Sequence, residues 1–293
     1  MLDPNLLNSQ QLSSIGNIVT TGLRLYFLRF KPYLRMAIMA HLWLLIPIYG
    51  WAKFCSRSAL LAQLSFYDLV QSPEQTASLQ QQVKEHGWSV LITNLLILLM
   101  AIAVAFIALI LIIFLIGVII ALAPIIFSVS LPSLSEPDPA NPVAEPISLA
   151  IGLGGNLLWI VAALSFYMRY FVVELPLSLE CNYKPTRAIK RCHNLTKGSS
   201  FFIFGVIAIV FALTCPLSYL VANIFGFRLL RLVLQALQLD FLARQIIGYT
   251  FLVTFSLFLN AITMPFWQAT KAVLYYSLRS RREGFDLQFR HVD

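Results

Sequence analysis

SVLITNLLILLMAIAVAFIALILIIFLIGVIIALAPIIF, residues 89–127, is the stretch that decides the class of this protein. It carries no charged side chain. As one helix it would be about 60 Å long, twice the roughly 30 Å hydrocarbon core of a bilayer. A run this apolar needs lipid around it, and lipid leaves helices or closed barrels as the spanning structures. The length predicts two spans or a re-entrant hairpin, broken near Gly117.

The rest of the chain has the same character. Of its 293 residues, 59% are hydrophobic and 12% charged, against about 25% charged in a soluble domain. Further apolar runs predict spans over 36–54, 147–168, 201–222 and 246–276. The fold expected is all-α, a polytopic membrane helix bundle of about six spans with interfacial amphipathic helices. It divides into an N-terminal interfacial helix (1–35), the bundle (36–278) and a basic tail (279–293). The first thirty residues lack the form of a cleaved signal peptide, so the first span is expected to remain in the mature chain.

Charge orients the spans. The net charge is +8, and in a multi-pass protein the positive-inside rule accounts for such an excess without nucleic acid. Loop 128–146 has no Lys or Arg, whereas segment 169–200 has six and the tail from Lys271 has five. Six spans with both termini cytoplasmic put 15 of the 21 basic residues inside. The expected location is a bacterial inner membrane or an equivalent internal membrane.

Between the spans, residues 12–35 (LSSIGNIVTTGLRLYFLRFKPYLR) place Ile15, Ile18, Val19, Leu23, Tyr26, Phe27 and Phe30 at helical spacing. They read as a helix lying in the headgroup region, its cations toward anionic lipid, with a break at Pro32. SPEQ at 72–75 predicts a capped helix start and Gly87 a stop. The proline-rich 130–146 predicts an extended linker. Residues 223–245 read as a helix in the outer interface or an additional short span.

Two stretches could carry function. In 169–201, Pro176 interrupts a helix, Pro185 and Thr186 open another with Ala188, Cys192 and Leu195 on one face, and Gly198 ends it. Arg187, Lys190, Arg191 and Lys197 make it a basic elbow, a candidate lipid or partner surface. Arg169, Glu174 and Glu180 are ion-pair candidates that would make it a fastened stop between spans. In LYYSLRSRREGFDLQFR (274–290), Tyr275 and Tyr276 suit an interfacial anchor. Arg279, Arg281 and Arg282 join the lipid- or partner-binding candidates. Glu283 and Asp286 can pair with them or with the elbow, and Gly284 permits a turn.

These two stretches carry a resemblance. Tyr275, Tyr276, Leu278, Arg279, Arg281, Glu283, Gly284, Asp286 and Leu287 are similar to the closing signature of the glycerophosphoryl diester phosphodiesterase membrane domain family and of related multi-pass bacterial proteins. Ser277 departs where Asp is usual. Glu180, Ala188, Arg191, Leu195 and Gly198 resemble the family's middle element, with Cys192 in place of Ser. SIGNIVTTGLRLYFLRFKPYL is similar to its first helix. The resemblance implies a membrane module alone. Phosphodiesterase activity belongs to a separate barrel domain, no catalytic residues carry over, and no such domain is expected here.

The residues themselves point the same way. His41, His86, His193 and His291 are scattered, Cys55, Cys181, Cys192 and Cys215 form no CxxC pair, and no hydrolase, zincin or nucleotide-loop motif occurs. The expectation is a non-catalytic protein, without cofactor or metal, acting as a scaffold or a lipid- or partner-interacting module. Its partners would be membrane lipids, or a second membrane protein or complex. The alternative is a carrier of a neutral or lipid-like substrate, for which Asn94, Asn156, Asn260 and Thr263 are the polar candidates. The span centres hold no charge, which disfavours ion coupling.

Overall fold

Pro32 lacks an N–H and is tolerated in a helix's first turn, where that N–H would have no partner. In the computed structural model it occupies that place in α2 (Phe30–Trp43), and the break falls earlier, at Arg29, after α1 (Ile15–Leu28). The structure describes residues 14–70, 87–130, 160–161, 163–180, 182, 184–221, 226, 228 and 241–283. These are all-helical, without a strand. They fall into two compact units, residues 1–94 with 169–293, and residues 95–168. The capping sequence at 72–75, the linker 131–146, most of 147–168 and of 223–245, and Gly284 and Asp286 lie outside the described residues.

In the larger unit α1, α2 and α3 (Tyr49–Val70) pack on the C-terminal half of α8 (Phe241–Glu283). Of the apolar face predicted to lie on lipid, Ile18, Val19 and Tyr26 are buried, whereas Phe27 and Phe30 remain exposed. The Tyr26 hydroxyl donates to the Ile262 carbonyl at 3.0 Å. Small residues allow the close approach: a Cβ on Gly22 would stand 2.6 Å from Thr270 Oγ1 and 3.0 Å from its Cα. Gly22→Val should therefore cost about 1–3 kcal/mol by overpacking, read as a lower urea or thermal midpoint. An unchanged midpoint would mean that α1 does not cross α8 at this point.

The predicted span 36–54 is not a continuous helix. The chain reverses at 44–48, between α2 and α3. The Leu44 and Ile46 amides donate to the carbonyls of His41 and Trp43 at 3.0 Å each. Ile48 takes a left-handed φ of 61°, and Gly50 lies so close to the Trp43 carbonyl that any Cβ would overlap it. Periodicity could not reveal this turn, because its residues (LLIPI) are as apolar as a span. Ser58 and Phe66 of α3 pack against α8. Gln268 donates to the Ser58 hydroxyl, and the Phe66 and Tyr275 rings are 5.6 Å apart.

The predicted break near Gly117 is also absent: α4 (Gly87–Ser130) is one helix. Gly87, read as a stop, opens it. Its first residues belong to the larger unit, where Val90 and Thr93 are buried. In the smaller unit its large apolar side chains stand exposed, among them Leu98, Phe106, Ile107 and Phe114. Among the described residues three helices are long and apolar enough to cross a membrane: Gly87–Ile107 within α4, α7 (Ser200–Val221), and Gln245–Glu283 within α8. Along α8 the environment changes. Ile246, Tyr249 and Val253 are exposed, whereas Ala269, Ala272, Val273, Leu274 and Tyr275 are completely buried.

Candidate functional site

The basic elbow forms as its sequence predicts. Pro185 opens α6 (Pro185–Thr196), and Gly198, at a φ of 80°, ends it. Ala188, Cys192 and Leu195 form its buried face. The Cys192 thiol and the Thr196 hydroxyl each donate to the Arg169 carbonyl at 3.1 Å, so Arg169 enters the structure here through its backbone. Before α6, a tight turn at 171–173 takes the break expected at Pro176. The proline itself sits in the first turn of α5 (Glu174–Leu179), where its missing N–H costs little.

Tyr275, Arg279 and Glu283 repeat every fourth residue and share one face of α8. That face meets Glu180 and Arg191. Glu180 accepts from Arg191 Nε at 2.6 Å and from the Tyr275 hydroxyl, with Arg279 Nε at 3.6 Å. Glu283 accepts from Arg279 Nε at 3.1 Å and from Arg191 Nη2. Two carboxylates, two guanidiniums and one phenol close a charge-balanced knot. Burial alone would lower the Arg191 pKa, but hydrogen bonds and charge from Glu180 and Glu283 outweigh it and hold the guanidinium above its ordinary value.

Two more contacts tighten the same end. Arg282 donates to the Lys197 carbonyl, and the Arg281 guanidinium stacks 4.0 Å over the Phe202 ring. Deeper in, Lys271 pairs with Glu174 at 3.5 Å and lies 5.2 Å over Phe171. Lys271, grouped with the tail by charge counting, is therefore part of the packed helix. Tyr275 and Tyr276, expected as interfacial anchors, are core residues at 0% and 3% exposure.

The candidates thus divide. Arg191, Arg279 and Arg282 bind the protein's own oxygens, and Arg281 covers a ring. Arg187, Lys190 and Lys197 remain exposed. The knot's chemistry is that of a clamp. Among the described residues no three His, Cys, Asp or Glu side chains converge as a metal site would need. Burial pushes the Cys192 thiol up to about 12, against a weaker opposing hydrogen bond at Val172. In a variant keeping only Cys192, iodoacetamide at pH 8 should label the folded protein at least about tenfold more slowly than the denatured chain. Equal rates would show that the face opens readily.

The four-residue spacing of Tyr275, Arg279 and Glu283 was a legible signal for the knot; its partner Glu180, 95 residues away, was not. Sequence reasoning also missed Lys53 and Arg57, which the α2–α3 turn brings to one cleft with Lys31 and Arg35. No family model, no curated protein and no solved structure matches this chain.

Proposed function

We propose that the protein is a non-catalytic, multi-pass membrane module that seats a packed helical unit on the bilayer surface and interacts there with lipid and with partner proteins. The carrying observation is the tip of the α2–α3 hairpin. Leu42, Leu45, Ile46, Ile48 and Trp51 are 46–69% exposed, an apolar patch that water disfavours and acyl chains would cover. Ile48 sharpens the point. A β-branched residue in the left-handed region is strained, and glycine would relieve it. Burial of an isoleucine in lipid, at about 1.5–3 kcal/mol, offsets that strain, whereas exposure in water does not. The resemblance to the phosphodiesterase membrane-domain family supports the same reading.

This reading revises the span count from six to four: α4, the segment ending at residue 168, α7, and the N-terminal half of α8. With the hairpin dipping instead of crossing, a single crossing within α4, at Gly87–Ile107, suffices. Residues 1–86, 169–200 and 271–293 then share the cytoplasmic side, with 18 of the 21 basic residues, more than six spans place there. Both termini remain cytoplasmic, in a bacterial inner membrane or its equivalent.

A single cysteine at position 75, probed in intact cells, tests the topology. Four crossings protect it from an impermeant maleimide; six expose it. Native mass spectrometry of the gently released protein tests the function. A stoichiometric protein or retained lipid is expected. A bare chain that instead moves a neutral solute across vesicle membranes would overturn the reading in favour of a carrier.

A further inference from the structure

Arg29 and Lys31 are two residues apart, yet their fates differ. Arg29 pairs with Asp68 at 3.1 Å, and Asp68 also accepts from the Tyr33 hydroxyl at 2.6 Å. Lys31 and Arg35, four apart, share the other face of α2. Lys53 and Arg57, four apart on α3, stand across from them. Among the described residues no carboxylate pairs with any of these four, and none lines the cleft between them. Among the described residues these cations have no counter-charge, unlike those of the balanced knot around Glu180.

The cleft is amphipathic. Its volume is about 800 Å³, within the range of small-molecule sites. Met36, Met39, Trp43 and Leu60 supply apolar lining, and Met adapts readily to an irregular apolar ligand. Two of the cations are held by aromatic rings: Lys53 Nζ lies 5.3 Å from the Tyr49 centroid, and the Arg57 guanidinium 5.7 Å from that of Trp43. Burial lowers the Arg57 pKa, a penalty that a neighbouring anion would remove. The exposed apolar hairpin tip begins at Leu42, one turn from the cleft.

We propose that this cleft binds the headgroup of an anionic phospholipid, with the phosphate among Lys31, Arg35, Lys53 and Arg57 and the acyl chains leaving along Met36, Met39 and Trp43 toward the hairpin tip. The proposal rests on the membrane-module reading and deepens it. Four cations lining one cleft select negative charge. The apolar lining and adjoining tip select an amphiphile over free phosphate or an acidic peptide, neither of which would cover them.

The test titrates the full-length protein, in a neutral detergent, with phosphatidylglycerol or phosphatidylcholine and counts bound lipid by native mass spectrometry. Wild type should prefer phosphatidylglycerol by about tenfold or more. R35Q/K53Q should lose about tenfold in phosphatidylglycerol binding while phosphatidylcholine is unaffected. R187Q/K190Q, which removes the same charge from the exposed elbow, should stay within about twofold of wild type. If R35Q/K53Q proves unstable, the exposed Lys31→Gln alone should weaken binding about threefold. Undiminished binding in the cleft variants, or equal loss in the elbow variant, overturns the site while leaving lipid interaction intact. Full displacement by millimolar glycerol phosphate or an acidic peptide overturns the lipid assignment. Retention of neither lipid, nor of a partner in the membrane extract, would sink the broader module reading.

Discussion

Glu180→Ala should lower the unfolding midpoint of the purified protein by about 6–12 °C. Glu180 has 16% side-chain exposure and accepts from Arg191 and Tyr275, with Arg279 close by. Its removal takes the acceptor from the buried Tyr275 phenol and leaves two guanidiniums sharing Glu283. Breaking a partly buried charge pair by deleting one partner costs about 3 kcal/mol, and a protein of this size loses about 2–4 °C per kcal/mol. The larger part is the penalty on the stranded groups, so Glu180→Gln should recover some of the loss by still accepting from Tyr275. A double-mutant cycle with Tyr275→Phe should show coupling of about 1–2 kcal/mol, the range for a hydrogen bond to a charged group. A midpoint within 1 °C of wild type would mean that the knot is surface decoration. Arg191→Lys makes an independent check. Arg191 reaches Glu180 through Nε and Glu283 through Nη2, and a lysine's single ammonium cannot reproduce that fork.

Gly50→Ala is expected to be at least as damaging, for a different reason. The new Cβ would fall 1.8 Å from the Trp43 carbonyl oxygen and 3.0 Å from Ile46 Cβ. The obstacle is backbone within a turn, so no rotamer change relieves it. The reversal between α2 and α3 must open, exposing part of an interface that buries Ala37, Ala40, Ala52 and Ala59. We expect a loss of about 3 kcal/mol or more, at the upper end for overpacking. Hydrogen exchange at the Leu44 and Ile46 amides, which close the turn, should accelerate by about two orders of magnitude relative to amides in α6. Because the turn brings Lys53 and Arg57 to Lys31 and Arg35, anionic-lipid retention should fall with it. Unchanged exchange at these two amides would show that the turn is not closed in this way.

The helical character, and the presence of runs long and apolar enough to cross a membrane, was legible from residue types. Residues 89–127 form the helix that their composition predicts, since backbone hydrogen bonding and transfer energy are local properties. Helix ends were legible where backbone chemistry is local too: Pro185 opening α6, Gly198 closing it, and Ala188, Cys192 and Leu195 forming its inner face. Folding in three dimensions settled which apolar runs face protein and which do not, because apolarity does not name the neighbour. Residues 36–54 have the composition of a span yet turn back at Ile48. Tyr275 has the look of an interfacial anchor yet lies at 0% exposure with its hydroxyl on Glu180. Charge behaves likewise. Arg29, Arg191 and Arg279 are neutralised within the fold, while Lys31, Arg35, Lys53 and Arg57 are left facing one cleft. The physical reason is range. Propensity, capping and hydropathy act within about one helical turn, whereas a carboxylate that neutralises a cation, or a carbonyl that excludes a Cβ, is positioned by packing between helices far apart in the chain.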